Sequence, residues 1–213
     1  MLLKEERELV VAYGKELVER GLVSGTFGNI SIYNRKENLM AISPSGMDYY
    51  KTNPEDIVVM SIDGKVVDGT AKPSSEYDLH RIFYQKRSDV NAVVHTHSMY
   101  ATTLACMQVN VPPIHYVIAY AGKEIPCTEY VQFGTYELAE DALKAMGENN
   151  AVLLGNHGAL AVGGTINYAM DTAEQVEFCS QVYYNCLVAG KEKLLSEENI
   201  TKVCGAFQSY RIK

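Results

Sequence analysis

Apolar residues recur at helical spacing in several long segments of the chain. Near the N-terminus, Leu9, Tyr13 and Leu17 lie four positions apart, as on one face of an amphipathic helix. At positions 73–76 a proline is followed by two serines and an acid, an order typical of a helix N-terminus. The pattern predicts helices over Lys4–Glu19, from residue 73 to about 86, after Ser98, and over Thr135–Met146, Ile166–Ala189 and Glu197–Phe207.

Shorter runs of branched apolar residues alternate with these helices and predict strands. Two hairpins and three later strands are expected, at Ile30–Tyr33 with Leu39–Ser43, Ile57–Ile62 with Lys65–Val67, Val90–His97, Ala151–Leu154 and Ala159–Val162. Helices and hairpins that alternate loosely indicate an α/β fold of three αβα layers. We expect its central sheet to be mixed but mainly antiparallel.

Composition adds limits rather than detail. The 213 residues show no linker or repeat, which predicts one domain over 1–213. The net charge of −7 disfavours a nucleic-acid partner and an anionic membrane surface, and no apolar run approaches the ~20 residues of a membrane span. A charged N-terminus and five widely spaced cysteines, an odd number, predict reduced thiols in a cytoplasmic protein.

Three of the five histidines have a spacing that suits a metal ion. His95 and His97 are two residues apart on a predicted strand, so their side chains point the same way. His157 lies in a glycine-flanked turn, and three imidazoles with an open position describe a catalytic zinc site. Spacing alone leaves a structural alternative open, in which the three rings are buried and hydrogen-bonded. For His80 and His115 we expect structural or supporting roles.

Glu76 and three short loops point to acid–base chemistry and to an anion. At the start of its helix, Glu76 suits either a dipole-compensating role or an acid/base role beside a metal. The loops Ser24–Asn29, Ser43–Gly46 and Pro73–Glu76 are rich in glycine and hydroxyl groups. Together they predict a phosphate site made of backbone amides and hydroxyls, although the chain has no Walker loop.

These segments, taken in order, resemble the class II aldolase/adducin-head superfamily. The matching motifs are Ser24-Gly25-Thr26-Phe27-Gly28-Asn29, Ser43-Pro44-Ser45-Gly46, Lys72-Pro73-Ser74-Ser75-Glu76, Val93-Val94-His95-Thr96-His97, Ile114-His115-Tyr116 and Leu154-Gly155-Asn156-His157-Gly158. Within that superfamily they are most similar to the L-fuculose-1-phosphate aldolases. The resemblance implies zinc-dependent cleavage of a ketose 1-phosphate, L-fuculose 1-phosphate in the first place, to dihydroxyacetone phosphate and L-lactaldehyde through a metal-stabilised enediolate.

The resemblance also implies a role for individual residues. His95, His97 and His157 would bind one Zn²⁺ per subunit, with Glu76 as fourth ligand or as the acid/base. Tyr116 would reach the aldehyde oxygen from a neighbouring subunit, in a homotetramer whose active sites lie at subunit boundaries. The phosphate of the sugar substrate would be held by Gly28, Asn29, Ser45, Gly46, Ser74 and Ser75. The aldehyde pocket would be shaped by Phe133 and Tyr210.

Other reactions on the same fold remain open at this point. An aldolase for another deoxy- or methylthio-ketose phosphate, or a methylthioribulose-phosphate dehydratase, differs in only a few pocket side chains. The ribulose-phosphate 4-epimerases resemble the chain less, because they carry an aspartate where Glu76 stands. A non-enzymatic module like the adducin head lacks the metal ligands, which this chain has.

Overall fold

Seven strands form a single sheet at the centre of the fold. The computed structural model describes the backbone of residues 1–211 and the side chains of residues 1–207. The strands are β1 (Asn29–Asn34), β2 (Leu39–Ile42), β3 (Val58–Ser61), β4 (Val66–Asp68), β5 (Ala92–Thr96), β6 (Ala151–Leu154) and β7 (Gly158–Gly163). They lie in the order β4-β3-β2-β1-β5-β7-β6, and every neighbouring pair is antiparallel.

Residues 1–211 form six α-helices, and five of them cover the two faces of this sheet. The six helices are α1 (Lys4–Glu19), α2 (Tyr77–Lys86), α3 (Met99–Met107), α4 (Tyr136–Met146), α5 (Ile166–Ala189) and α6 (Glu197–Arg211). Side chains of α2 and α4 pack on one face, while those of α1, α3 and α5 pack on the other. Over residues 1–211, no helix is both long and apolar enough to cross a membrane.

The predicted three-layer α/β class is confirmed, with two differences in detail. The sheet has no parallel pair among the described strands, and parallel pairing is confined to an isolated bridge between Cys127 and Leu153. Helix α2 begins at Tyr77, which makes Glu76 its N-cap residue rather than part of its first turn.

Strand alternation decides which side of the sheet carries the polar residues. In β5, Ala92 and Val94 pack in the core beneath α1 and α5, whereas Val93 packs in the core beneath α2 and α4. His95, two residues after Val93, therefore faces the α2 side. Its pairing partner on β1 is Asn29, so a histidine and an amide meet beside the start of α2.

The start of α3 is capped by a residue that the sequence did not indicate. Ser98 is the N-cap residue, but its hydroxyl makes no capping hydrogen bond. The amides of Tyr100 and Ala101 instead donate to the two carboxylate oxygens of Glu177 on α5, both at 2.9 Å. A carboxylate at a helix N-terminus is electrostatically favourable. Because Tyr100 and Glu177 are 77 positions apart in the sequence, local sequence patterns could not predict this cap.

Candidate metal centre

Three imidazole rings meet where β5 ends. His95 lies in β5, His97 follows the strand directly, and His157 occupies the turn between β6 and β7. Because Thr96 pairs with Ala159 in the antiparallel ladder, that turn lies beside the end of β5. The Nε2 atoms of His95 and His97 are 3.0 Å apart. The candidate ligand atoms of all three rings lie within 4.8 Å of one another.

The carboxylate of Glu76 closes the fourth side of this cluster. Its Oε2 lies 3.4 Å from His95 Nε2, and its Oε1 lies 3.4 Å from His157 Nε2. Among the described residues Oε1 has no hydrogen-bond partner, although it is buried. Tetrahedral zinc with ~2.1 Å bonds separates neighbouring ligand atoms by roughly 3.4 Å. The donor set and its spacing therefore fit a divalent cation such as Zn²⁺.

Hydrogen bonding and burial keep the histidine side chains in a form that can bind a cation. The backbone oxygen of Ala159 accepts a hydrogen bond from His95 Nδ1 at 3.0 Å, which leaves the Nε2 lone pair facing the cluster. Burial, together with the neighbouring His95, lowers the pKa of His97 to about 3 and that of His157 to about 4. Both rings are consequently neutral at neutral pH, the form that binds metals.

The charge of Glu76 is set by opposing effects. Burial raises the pKa of its carboxyl group, while His95, His157 and a hydrogen bond from Asn29 lower it, and the net direction is downward. Glu76 is therefore a carboxylate at neutral pH. Imidazole ligands add no charge when they bind a metal, so a divalent cation bound beside this one carboxylate keeps a net positive charge.

Gly28 lets the loop Ser24–Asn29 pass close to the histidine cluster. Its φ is +72°, and a Cβ atom there would lie 2.6 Å from the backbone oxygen of His95 and 2.5 Å from Val23 Cγ1. Gly25, in the same loop, has a similar φ of +62°, but a Cβ atom at that position would have nothing within 4 Å. The first glycine is required by conformation and by space, the second by conformation alone.

We expect Gly28→Ala to lower the free energy of unfolding by about 2–5 kcal/mol, from backbone strain and overpacking. Gly25→Ala, the matched control, should lose only the strain, about 1–2 kcal/mol. Urea unfolding of both variants measures the difference. Equal losses would show that the close approach to His95 carries no cost.

An open cavity of about 380 Å³ lies in front of the cluster. The six residues predicted to hold the phosphate all line it, namely Gly28, Asn29, Ser45, Gly46, Ser74 and Ser75. The cavity also carries three exposed aromatic side chains, Phe27, Tyr130 and Phe133. The ring of Phe27 stacks on His97, with centroids 5.5 Å apart. Part of the aromatic lining therefore contacts the histidine cluster.

Asn29 lines this cavity, but its side chain is engaged elsewhere. The amide nitrogen donates to Glu76 Oε2 at 2.9 Å, and the amide oxygen contacts His80 Nε2. Its side chain therefore holds the carboxylate, which the sequence did not predict. For His80 we expected a structural or supporting role, and the structure connects it to Glu76 through the side chain of Asn29.

One predicted residue, Tyr116, is not brought to the cavity within one chain. Tyr116 begins a 3₁₀ turn, Tyr116–Tyr120, is 53% exposed, and lines a different surface cavity with Val117 and Phe207. The side chain of Tyr210 lies outside the described residues. The roles of both tyrosines stay predictions, and that of Tyr116 requires a second copy of the chain.

Tyr130 lines the cavity although the sequence analysis did not indicate it. Pro44 and Asn156 also line the cavity; they lie in motifs quoted above but had no role of their own, and the backbone of Asn156 adopts a left-handed φ of 54°. Asn156 precedes His157 in a tight turn, and that position was a usable signal. Tyr130 lies in an irregular segment that has no periodicity, and nothing local connected it to the cluster.

Comparison with known proteins identifies the family. A family model of the class II aldolase and adducin N-terminal domain matches residues 8–184. The chain is 49% identical over 210 residues to a 5-deoxy-D-ribulose 1-phosphate aldolase of Bacillus thuringiensis serovar kurstaki, covering 99% of each chain. It is 38% identical over 200 residues to an L-fuculose phosphate aldolase of Escherichia coli K12, covering 93% of this chain and 92% of that one.

A solved structure with the same fold also bears an aldolase name. An L-fuculose 1-phosphate aldolase superposes with a TM-score of 0.95 and 43% identity, and the match covers 98% of each chain. The chain belongs to the class II aldolase and adducin N-terminal domain family. The predicted superfamily and enzyme class, a class II aldolase, are thereby confirmed. Members of this family are generally metal-dependent and act on phosphorylated sugars.

Proposed function

We propose that the chain is a zinc-dependent aldolase that splits the C3–C4 bond of a ketose 1-phosphate. The products would be dihydroxyacetone phosphate and a short aldehyde. The observation that carries this proposal is the cluster of His95, His97 and His157 closed by Glu76 at 3.4 Å. When bound, Zn²⁺ supplies a Lewis acid that stabilises the negative charge left on the dihydroxyacetone phosphate half.

Glu76 moves the proton at C3 in this proposal. In the condensation direction its carboxylate removes the C3 proton. In cleavage its carboxyl group, which has taken up a proton from solvent, delivers that proton to C3 after the C3–C4 bond breaks. Asn29 engages Oε2, and Oε1 has no hydrogen-bond partner among the described residues. Oε1 is thus the oxygen available for proton transfer, since Oε2 is already held.

The cavity loops bind the phosphate and fix the position of the reacting carbons. Ser74 and Ser75 precede α2, whose N-terminus carries partial positive charge. Ser45 and Gly46 line the same cavity from the segment after β2. Binding energy from this remote group helps to orient the C3–C4 bond beside Glu76.

Tyr116 acts on the C4 oxygen from a neighbouring subunit of a homotetramer. In condensation its hydroxyl donates a proton to the C4 oxygen, and in cleavage its phenolate takes the C4 hydroxyl proton. Proton exchange with solvent between turnovers balances the charges of Tyr116 and Glu76. Its own chain holds it away from the cavity, yet it is 53% exposed beside Val117 and Phe207. An exposed apolar surface of this kind is typical of a subunit interface.

The substrate that we favour is 5-deoxyribulose 1-phosphate, which yields acetaldehyde. The identity of 49% to an aldolase named for this sugar supports the choice. The exposed rings of Phe27 and Phe133 also suit a terminal methyl group. L-fuculose 1-phosphate, which yields L-lactaldehyde, is the second candidate, because the superposed structure with a TM-score of 0.95 carries that name.

Product analysis tests the reaction and its substrate. The zinc-loaded protein is incubated with dihydroxyacetone phosphate and, separately, acetaldehyde, L-lactaldehyde or methylthioacetaldehyde, and the sugar phosphates are identified by NMR. We expect the highest kcat/KM with acetaldehyde. A preference for L-lactaldehyde would select the second candidate instead. Failure to condense any aldehyde, with epimerisation of ribulose phosphate or dehydration of methylthioribulose phosphate in its place, would overturn the proposed function.

A further inference from the structure

A row of buried hydrogen bonds runs from the core to Glu76. His80, fully buried on α2, contacts Asn29 Oδ1 through Nε2 and Ser31 Oγ through Nδ1, the latter at 2.6 Å. The hydroxyl of Tyr84 lies 2.6 Å from Ser31 Oγ and donates to the Ser31 backbone oxygen at 3.0 Å. Asn29 Nδ2 ends the row at Glu76 Oε2.

The chemistry of these groups gives the row one direction. A carboxylate only accepts hydrogen bonds, so Asn29 must present its NH₂ group to Glu76 and its oxygen to His80. That oxygen accepts, and His80 Nε2 therefore donates. Burial and the nearby His95 lower the pKa of His80 to about 3, so the neutral ring accepts at Nδ1 from Ser31. From Ser31 onward, every donor along the row points towards Glu76.

Helix α2 and strand β1 together supply the side chains of this row. His80 follows Glu76 by four residues, which places both on one face of the N-terminal turns of α2. Asn29 and Ser31 are two residues apart on β1, so they share the face that meets α2. Side chains from two packed elements thus fix the orientation of one carboxylate.

We propose that His80 is a positioning residue for the aldol reaction, which it serves by orienting the Asn29 amide that holds Glu76 Oε2. The inference rests on the proposed function of Glu76 as the group that moves the C3 proton. With the Asn29 amide fixed, Oε1 faces the substrate. Without the His80 donor, the amide can rotate, and the carboxylate loses its fixed orientation.

A matched pair of variants tests this inference. His80→Gln places an amide nitrogen where Nε2 lies and can donate to Asn29, whereas His80→Asn keeps the amide but is too short to reach. We expect His80→Asn to lower kcat and the exchange of the C3 proton of dihydroxyacetone phosphate in D₂O by about 10- to 100-fold. The KM and the zinc content should stay unchanged, and His80→Gln should recover most of the exchange rate.

Ser31→Ala provides a second measurement if the histidine variants unfold. Its loss removes the donor that fixes the tautomer of His80, and a smaller drop in the same exchange rate is expected. Equal exchange rates in wild type, His80→Asn and Ser31→Ala would overturn the inference while leaving the proposed function intact. Absence of exchange in the wild-type zinc enzyme would instead overturn the proposed function.

Discussion

Exhaustive chelation is expected to lower the rate of aldol cleavage about 1,000-fold or more, and stoichiometric Zn²⁺ should restore it. The reason is that the carbanion at C3 needs an electron sink, and a metal ion is worth several kcal/mol in that role. A Schiff base would be the other sink, but no lysine is among the described residues that line the cavity. Metal content and turnover are measured together during the chelation and after zinc is returned.

His157→Ala makes the same test without a chelator. The variant removes one of three imidazoles and leaves Glu76 Oε1 without its neighbour at 3.4 Å. We expect its metal content to fall well below one ion per chain, and its turnover to fall with it. Full turnover in chelated protein with metal near zero would contradict a metal-dependent reaction, and the cluster would then have a structural role.

The fold was predictable because its elements are locally encoded. The period of apolar residues predicted helix α1 with its observed bounds, Lys4–Glu19. The hairpin predicted from Ile57–Ile62 and Lys65–Val67 is the observed pair β3 and β4. The strand order β4-β3-β2-β1-β5-β7-β6 was not predicted, because it depends on contacts between residues far apart in sequence.

The site was predictable only as far as its residues lie in recognisable motifs. The H-x-H pair and the turn around His157 gave candidates for one cluster, and the structure brings them together within 4.8 Å. The contact between Asn29 and Glu76 spans 47 residues and depends on which face of β1 meets α2. A resemblance assigned Asn29 to the phosphate, since a motif identifies a position without its hydrogen-bond partner.

Replacement of Glu76 by glutamine is expected to lower the exchange of the C3 proton of dihydroxyacetone phosphate about 10²- to 10⁴-fold, the range of general acid–base catalysis. Glutamine has nearly the same shape and can still occupy the N-cap position of α2, but its amide cannot take a proton from carbon. The three imidazoles remain, so zinc content should change little. Exchange in D₂O is followed by NMR, with zinc measured in the same sample.

Glu137→Gln is the matched control, because it also removes an acid from a helix N-terminus. Glu137 lies in the first turn of α4 and is exposed, outside the cavity lining. Its exchange rate should equal that of the wild type, which separates loss of proton transfer from loss of helix-dipole compensation. If Glu76→Gln exchanged the proton at the wild-type rate with full zinc, another base would have to be found. The buried, unpartnered Oε1 would then serve the metal alone.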